Sequence, residues 1–409
     1  MRKVLAASAI MVLAMGLEVP AQDWPQFFGP ERNGVYSGPE LSETWGSEGP
    51  PLVWRREVGE GFSGPVVADG RVILFHRVSD REVVEALDPQ TGTNLWEYSY
   101  PTTYRDDFGF DEGPRAVPVV ADGVVYTFGA QGQLHAVELE TGQGVWSADT
   151  MERFGVAKGF FGAGGSPLVE DGKVIANIGG PDGGIVAFDA GTGEVLWTAT
   201  EDGASYSSPV GATISGSRYA VFMTRNGLVG LDTATGEVRF SQRWRSRSAS
   251  SVNAASPVVV DDLIFVSAEY GPGAGVLRWD GAQLSPLWSS NDALTNHYAT
   301  SVYYEGHLYG DHGRQEFGPS LRAVEFTTGE VAWSEEQFRA GSIILAGDRV
   351  LILREGGELV LAHASPDAFQ PIARAQLLPA TVRAYPALAD GFLYVRNETT
   401  LASFDLGLR

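Results

Sequence analysis

The sequence predicts an all-β fold, an eight-bladed β-propeller with four-stranded antiparallel blades. Three observations lead to this prediction. A Thr-Gly turn followed by an aromatic residue recurs along the chain, an Asp-Gly turn recurs upstream of it, and the 409 residues include 51 Gly and 10 Trp. Glycine turns at a regular spacing, with one large aromatic residue in each unit, are typical of repeated small sheets that pack side by side.

The later of the two repeated patterns ends on the aromatic residue. Residues 86–96 read Ala-x-Asp-x-x-Thr-Gly-x-x-x-Trp. The frame returns, in one case degenerate, with its aromatic residue at Trp146, Trp197, Phe240, Trp288 and Trp333. A unit of about 45 residues accommodates four short strands, which is the size of a propeller blade.

The earlier pattern is a strand, a two-residue turn and a second strand. In its first copy the turn is Asp69-Gly70, and Asp-Gly between apolar runs is a strong hairpin signal. Such hairpins begin near residues 63, 117, 166, 208, 256, 300, 343 and 385. Each unit therefore consists of two hairpins, the first with an Asp-Gly turn and the second with a Thr-Gly turn, and the chain holds eight units.

The eighth unit lacks an outer strand at the end of the chain. Its third strand falls at 401–405, and the sequence stops soon afterwards. A strand at 52–58 can supply the missing one, because Trp54 follows a Gly-Pro-Pro turn as other tryptophans follow Thr-Gly. We therefore expect residues 52–409 to form one ring closed by an N-terminal strand, with residues 22–51 as an arm across it.

Residues 1–21 have the pattern of a secretory signal peptide. Two basic residues precede an uncharged apolar run at 4–17, and small residues end at Ala21. A membrane anchor is disfavoured because the run is shorter than the ~20 residues that span a bilayer. We expect cleavage before Gln22 and a periplasmic or secreted protein without a membrane span.

Composition excludes several classes of function. The formal net charge is -22, which argues against a nucleic-acid partner, because phosphate binding needs a basic surface. The chain has no Cys, so it forms no disulfide, thiolate metal site, lipid-modified cysteine or C-x-x-C-H haem attachment. A closed ring with so much negative charge is expected to be a monomer.

The repeated frame resembles the tryptophan-docking motif of the pyrroloquinoline-quinone (PQQ)-type β-propellers. Residues 86–96 and 187–197 match it fully, while Glu138 and Glu325 replace its Asp in two other copies. That superfamily includes quinoprotein alcohol dehydrogenases and the non-catalytic propeller of outer-membrane-protein assembly. The mature start at 23–30 is also similar to that of many exported bacterial propellers. The resemblance implies the fold, whereas the motif is structural and leaves the function open.

The resemblance implies what an enzyme of this superfamily would need. A dehydrogenase would hold PQQ in the central funnel, with a Ca²⁺ ion and a catalytic carboxylate beside it. Many such enzymes also carry a vicinal disulfide against the quinone or a fused haem domain, and this chain has no Cys for either. We therefore assign no certain cofactor, and PQQ with Ca²⁺ belongs only to the enzyme hypothesis.

Candidate binding residues stand where the inner strands begin, at one mouth of the predicted channel. They are Arg115, Tyr206, Asn253, His297, Tyr298, Arg383 and Tyr385. The arginines and the histidine could clamp an anionic group while the tyrosine rings stack on a flat ligand. The favoured alternative is that these side chains satisfy strand-end carbonyls and organise channel water.

Three further polar clusters have a structural interpretation that we favour. Residues 311–316 mix Asp, His, Arg and Glu, and are expected to form a solvated hairpin. Residues 243–247, Arg-Trp-Arg-Ser-Arg, could bind an acidic partner but are expected to pair with nearby acids. The acidic loop of Asp106, Asp107, Asp111 and Glu112 lacks the spacing of a calcium loop, and we predict no metal site.

Together these observations predict an exported PQQ-like propeller that acts as a non-catalytic scaffold in the bacterial cell envelope. It would present one face to an envelope protein or to a small anionic ligand. The alternative is a PQQ-dependent dehydrogenase that uses the channel mouth, so enzyme activity is left open. A weaker third hypothesis, a carbohydrate-binding accessory protein, rests only on the aromatic content.

Overall fold

The computed structural model describes residues 22–248, 252–339 and 341–407. The predicted signal peptide, residues 1–21, lies outside the described residues. Within those ranges, no helix is long and apolar enough to cross a membrane.

Nearly all of the regular secondary structure in the described chain is β-strand. The first half of the elements comprises two N-terminal strands and four blades. The N-terminal strands are β1 (Val35–Tyr36) and β2 (Leu52–Glu57). Blade 1 is β3 (Val66–Ala68), β4 (Arg71–Val78), β5 (Arg81–Leu87) and β6 (Asn94–Pro101). Blade 2 is β7 (Val119–Ala121), β8 (Val124–Phe128), β9 (Gln133–Glu138) and β10 (Gly144–Asp149), followed by helix α1 (Thr150–Phe154). Blade 3 is β11 (Leu168–Glu170), β12 (Lys173–Gly180), β13 (Gly183–Asp189) and β14 (Val195–Ala199). Blade 4 is β15 (Val210–Ile214), β16 (Ser217–Met223), β17 (Gly227–Asp232) and β18 (Val238–Arg243).

The second half forms blades 5 to 8. Blade 5 is β19 (Val258–Val260), β20 (Leu263–Ala268), β21 (Gly273–Trp279) and β22 (Leu284–Ser290). Blade 6 is β23 (Val302–Tyr304), β24 (His307–His312), a 3-10 helix (Gln315–Phe317), β25 (Ser320–Glu325) and β26 (Val331–Glu335). Blade 7 is β27 (Gly341–Ala346), β28 (Arg349–Arg354), β29 (Glu358–His363) and β30 (Pro371–Gln376). The last blade begins with β31 (Ala387–Ala389), β32 (Phe392–Arg396) and β33 (Thr400–Asp405).

In blades 1 to 7 the four blade strands pair antiparallel in chain order, and β1 adds a fifth strand, parallel to β27, at the inner edge of blade 7. The predicted fold class, an eight-bladed β-propeller with four-stranded blades, is confirmed. The outer strand of blade 8 comes from the N-terminal part of the chain, because β2 pairs antiparallel with β33, with Arg55 opposite Ala402. The ring is therefore joined by hydrogen bonds between the two ends of the propeller.

The repeated motif explains how neighbouring blades are held together. In its first copy the Asp88 carboxylate accepts hydrogen bonds from the backbone N–H and the hydroxyl of Thr91, which fixes the turn. Gly92 then adopts a φ of 68°, a conformation that favours glycine. The turn is thereby shaped to receive the indole ring of the preceding blade.

Five docked tryptophans lie over the turn glycine of the following blade, namely Trp54, Trp96, Trp146, Trp197 and Trp288. Trp333 instead donates to the Ser365 carbonyl of blade 7, where the turn has no glycine. The Trp96 Nε1–H donates to the Leu139 carbonyl at 2.8 Å, and its ring covers Gly142. Trp54 of β2 does the same across the closure, donating to the Pro89 carbonyl of blade 1 at 2.8 Å. The closing strand is thus bound by the same contact as the internal blades.

Hydroxyl groups connect the starts of the inner strands. The N–H of Val117 donates to the Ser166 hydroxyl at 2.8 Å, and the N–H of Ser166 donates to the Ser208 hydroxyl at 3.0 Å. The N–H of Ser256 makes the same bond to Thr300 at 3.0 Å. A hydroxyl from one blade therefore satisfies a strand-end amide of its neighbour around the mouth of the ring.

The N-terminal arm runs inside the ring, whereas the sequence predicts an arm across it. Trp24 exchanges backbone hydrogen bonds with Val67 of blade 1, and the Pro25 carbonyl accepts from Val120 of blade 2. The Gly34 carbonyl accepts from Leu345 of blade 7, two blades away from blade 1 around the ring, at 2.8 Å. We call residues 24–36 the channel segment, because they contact the inner strands of blades 1, 2 and 7.

A buried arginine fixes the turn of the channel segment. Arg32 is 3% exposed, and its guanidinium donates to the carbonyls of Pro167 and Pro209 at the starts of the inner strands of blades 3 and 4. Burial lowers the pKa of Arg32 to about 9. Because carbonyls rather than carboxylates hold this cation, Arg32 ties the segment to the backbone of the ring.

The docking contact predicts a large difference between two glycine substitutions. Gly142 and Gly123 have nearly the same φ, 73° and 74°. A Cβ on Gly142 would lie 2.6 Å from the Trp96 ring, whereas a Cβ on Gly123 would meet open space. We expect Gly142→Ala to lower the free energy of unfolding by about 1–3 kcal/mol more than Gly123→Ala, measured by urea denaturation. Equal losses would show that the indole contact does not constrain this glycine.

Candidate functional site

The propeller has one face made of loops and one made of tight turns. Connections from an outer strand to the next inner strand, and from the second to the third strand of a blade, emerge on the same side because each blade is an antiparallel meander. We call this side the loop face. All seven predicted mouth residues lie in these outer-to-inner connections.

Arg115 is enclosed by aromatic rings. Its guanidinium carbon lies 5.6 Å from the ring centroids of Tyr104 and Phe161 and 5.8 Å from that of Phe62. The same guanidinium donates to the Asp111 carbonyl at 3.0 Å. Arg115 therefore organises the loop between blades 1 and 2, and little of its side chain reaches solvent.

Tyr206 and Asn253 are also engaged with the backbone. The Tyr206 hydroxyl accepts a hydrogen bond from the Phe161 N–H at 2.9 Å. The Asn253 amide donates to the carbonyls of Thr224 and Trp244 at 2.8 and 3.0 Å, and the residue is 2% exposed. Both side chains hold loops of neighbouring blades in place.

His297, Tyr298 and Arg383 lie on the other side of the mouth. The ring nitrogens of His297 lie 3.4 Å from the Gln315 amide nitrogen and 3.3 Å from the Tyr270 hydroxyl, and burial lowers its pKa. Arg383 pairs with Glu355. Its guanidinium also lies 5.6 Å from the centroid of Phe62, and the Arg115 guanidinium lies 5.8 Å from the same centroid. The two predicted arginines therefore contact the same ring, that of Phe62.

Tyr385 and Tyr298 connect blade 8 with blade 6 beneath this mouth. The Tyr385 hydroxyl accepts from the Thr300 N–H at 2.7 Å and donates to the Tyr298 carbonyl at 3.4 Å. Its ring packs against Phe27 and Phe28 of the channel segment, with centroids 4.6 and 5.6 Å apart. Aromatic side chains therefore occupy the axis just below the mouth.

Asp311 is a buried carboxylate that the sequence analysis placed in a solvated hairpin. The structure corrects this, because Asp311 is 3% exposed near the end of β24 and accepts a hydrogen bond from the Gly341 N–H at 2.8 Å. Its other oxygen has no hydrogen-bond partner in the part of the chain that the structure describes. The residue lines a small cavity with His297 and Tyr298, and burial raises its pKa to about 7. In the sequence, the signal for this burial is the pair of apolar residues Leu308 and Tyr309, which precede Asp311 in β24.

Four phenylalanines that the sequence analysis did not select cover the loop face. We call Phe108, Phe110, Phe160 and Phe161 the aromatic cap. Phe108 lies 6.3 Å from Phe110, 6.0 Å from Phe160 and 5.2 Å from Phe161, measured between ring centroids. Phe108 and Phe110 are nevertheless 55% and 54% exposed. In the sequence, the signal for this cap is a pair of phenylalanines beside a glycine in each of two loops.

The basic segment at 243–247 divides into a buried tryptophan and three arginines. Trp244 is buried and donates to the Gly273 carbonyl at 3.0 Å. We call Arg243, Arg245 and Arg247 the arginine cluster. The sequence analysis favours local salt bridges for it, but among the residues that the structure describes no carboxylate lies within 4.0 Å of these arginines. Beside the cluster, Arg225 lies 5.5 Å from the centroid of Phe160.

Carboxylates of the acidic loop accept hydrogen bonds from nearby backbone N–H groups. Asp111 is buried and accepts from the N–H groups of Gly61 and Gly113 at 2.9 and 2.7 Å. Asp106 accepts from the Phe110 N–H at 2.6 Å. In the described ranges, no group of three or more His, Asp or Glu side chains has an arrangement suited to a metal ion.

The described residues do not fit PQQ with Ca²⁺ in the central channel. The channel segment fills the space below the mouth, and the Asn253 amide is directed to two backbone carbonyls. Arg115 is held between aromatic rings and backbone oxygens. The mouth residues thus satisfy the protein's own groups and leave no open slot for a flat ring on the axis.

A larger cavity lies apart from the mouth. It has a volume of about 490 Å³ and lies beside residues 35–41 of the arm and the inner strand of blade 7. None of the predicted mouth residues lines it. The cavity and the mouth are therefore separate features.

Comparison with known proteins places the chain among the PQQ-like propellers. A family model described as "Outer membrane protein assembly factor BamB" matches residues 79–335. A quinohemoprotein alcohol dehydrogenase from Comamonas testosteroni is 25% identical over 287 residues, which make up 64% of this chain and 37% of that protein. The chain spans between 18% and 59% of the length of the curated relatives that it matches, which include quinohemoprotein alcohol dehydrogenases and BamB proteins.

Two solved structures share the fold. BamB from Moraxella catarrhalis superposes with a TM-score of 0.63 and 17% identity, covering 87% of this chain and 97% of that one. The quinohemoprotein alcohol dehydrogenase of Comamonas testosteroni gives a TM-score of 0.67 and 18% identity, covering 95% and 81%. At this identity the likeness shows the architecture alone.

The burial of Asp311 predicts a dependence of stability on pH. Its ordinary pKa is 3.8 and its folded pKa is about 7, so between these values the folded state holds a proton that the unfolded state releases. Stability is therefore lost as the pH rises through this window, by roughly 1.4 kcal/mol for each pKa unit of difference. We expect Asp311→Asn, which keeps an acceptor for Gly341, to reduce the loss measured by urea denaturation at pH values of about 5 and 8. An identical loss in both proteins would contradict a buried, titrating Asp311.

Proposed function

We propose that this chain, which belongs to the family described as outer membrane protein assembly factor BamB, is a non-catalytic binding scaffold of the bacterial cell envelope. It binds a partner through the loop face. The mature protein is exported by the predicted signal peptide at residues 1–21 and acts as a monomer.

The observation that carries the proposal is the path of the channel segment. Residues 24–36 contact the inner strands of blades 1, 2 and 7, and Arg32 reaches the strand starts of blades 3 and 4. Phe27, Phe28 and Tyr385 pack together below the mouth. A dehydrogenase must admit a cofactor and a substrate to one pocket, and such pockets are concave and mostly enclosed. A ring that is filled along its axis instead offers its outer faces for binding.

The loop face supports binding by surface contact. The exposed phenylalanines of the aromatic cap have no role in the core, and exposed apolar patches mark interaction sites. The predicted mouth residues contribute indirectly, since Arg115 and Tyr206 hold the loop that carries Phe161. In this proposal they shape the binding surface and do not themselves contact a small ligand.

The enzyme hypothesis retains one specific support, the similarity to quinohemoprotein alcohol dehydrogenase over 64% of the chain. In that case the loops of the mouth would have to part to admit PQQ and Ca²⁺. The two functions therefore make opposite predictions for the isolated protein.

We expect no stoichiometric retention of PQQ after incubation with PQQ and Ca²⁺ and gel filtration, measured by absorbance. We also expect no alcohol-dependent reduction of an artificial electron acceptor, because the axial space is filled by the chain itself. Retention of one quinone per chain together with alcohol-dependent reduction would overturn the scaffold proposal. A known quinoprotein dehydrogenase treated in the same way is the control for reconstitution.

A further inference from the structure

We propose that the aromatic cap and the arginine cluster together form a docking surface for an acidic segment of a partner protein. This inference rests on the proposed scaffold function and names the chemistry of the partner. It concerns the loop face above blades 1 to 4, beside the channel mouth, where Arg383 lies 5.6 Å from the centroid of Phe110.

The apolar part of this surface is unusual for its exposure. Phe108 and Phe110 lie in the loop between blades 1 and 2 and are each more than half exposed. Their rings contact each other and Phe160 and Phe161 of the next loop, and the Arg383 guanidinium lies 5.6 Å from the Phe110 centroid. Exposing rings of this size to water is unfavourable, so burying them against a partner lowers the free energy of the complex.

The basic part is continuous with the apolar part. The guanidinium of Arg225 stacks over Phe160 at 5.5 Å, and the adjacent Asn226 accepts a hydrogen bond from Arg245 at 2.9 Å. Phe108 is in turn 6.0 Å from Phe160. A segment of about four extended residues, at ~3.3 Å each, is long enough to contact both parts.

Charge complementarity determines the kind of partner. The whole protein has a formal net charge of -22, so an acidic partner is repelled by most of the surface. The arginine cluster is an exception, because in the described part of the chain its three members lie beyond 4.0 Å of every carboxylate. An acidic segment is therefore attracted to this place and oriented by it.

The composition favours a protein over a membrane. Arginine and aromatic residues are the side chains enriched at the energetic centres of protein interfaces. A membrane surface carries negative charge over a wide area, which the acidic remainder of this protein would face at the same time. A short acidic segment can contact the arginines without covering most of the acidic surface.

The test uses the full mature protein and a short fluorescein-labelled peptide of alternating Glu and Phe, followed by fluorescence anisotropy. We expect saturable binding that weakens as salt is added, and clearly weaker binding of a peptide with Gln in place of Glu. No saturable binding, or equal binding of the Glu and Gln peptides, would overturn the inference. Preferential binding to vesicles containing anionic lipid would overturn it in favour of a membrane surface.

Two variants locate the site. Phe108→Ser with Phe110→Ser removes the exposed apolar part, and Arg243→Gln with Arg245→Gln removes charge, and each pair should weaken binding about tenfold. Leu196→Ser changes a residue of similar exposure, 49%, on the outer strand of blade 3 and is the matched control. Binding as tight as that of the wild type in both double variants would contradict the proposed surface.

This experiment separates the two proposals. If the peptide does not bind and the protein also fails to retain PQQ, the docking inference fails while the scaffold function stands. If the protein retains PQQ and oxidises an alcohol, the scaffold function fails whatever the peptide does.

Discussion

The contact between an indole ring and the turn glycine of the next blade is the interaction on which the ring depends. It explains the repeated motif residue by residue, since the acidic residue fixes the turn, the glycine makes room and the tryptophan docks. Trp54 repeats the contact between blade 8 and blade 1. Because that tryptophan lies on a strand from the N-terminal part of the chain, the same interaction that stacks the blades also closes them into a ring.

A closed ring creates an axial space, and the proposed function depends on how this space is filled. The channel segment brings Trp24, Phe27 and Phe28 into it and anchors its turn through Arg32. Side chains that would otherwise face an open channel therefore pack against the protein itself. In the proposed function binding is left to the outer faces. On the loop face, exposed phenylalanines lie near Arg243, Arg245 and Arg247, which have no carboxylate within 4.0 Å among the described residues.

The blades, the turns and the docked tryptophans could be predicted because each is encoded within about 45 residues of sequence. The closing strand could be predicted because the eighth unit lacks an outer strand and an extra strand precedes the first unit. The path of the arm could not, since it depends on backbone contacts with strands such as β27 that are remote in sequence. For the same reason the sequence does not predict the partners of the mouth residues, since Asn253 and Tyr206 bond to neighbouring loops.

The central claim is that the N-terminal arm fills the ring, and hydrogen–deuterium exchange tests it most directly. The amides of Trp24 and Gly34 are hydrogen-bonded within the folded protein. Peptides covering residues 22–36 should therefore exchange as slowly as those covering the inner strands of blades 1 and 7. Complete exchange of the 22–36 peptides at the earliest time, with the blades still protected, would show that the channel is open and would contradict the account.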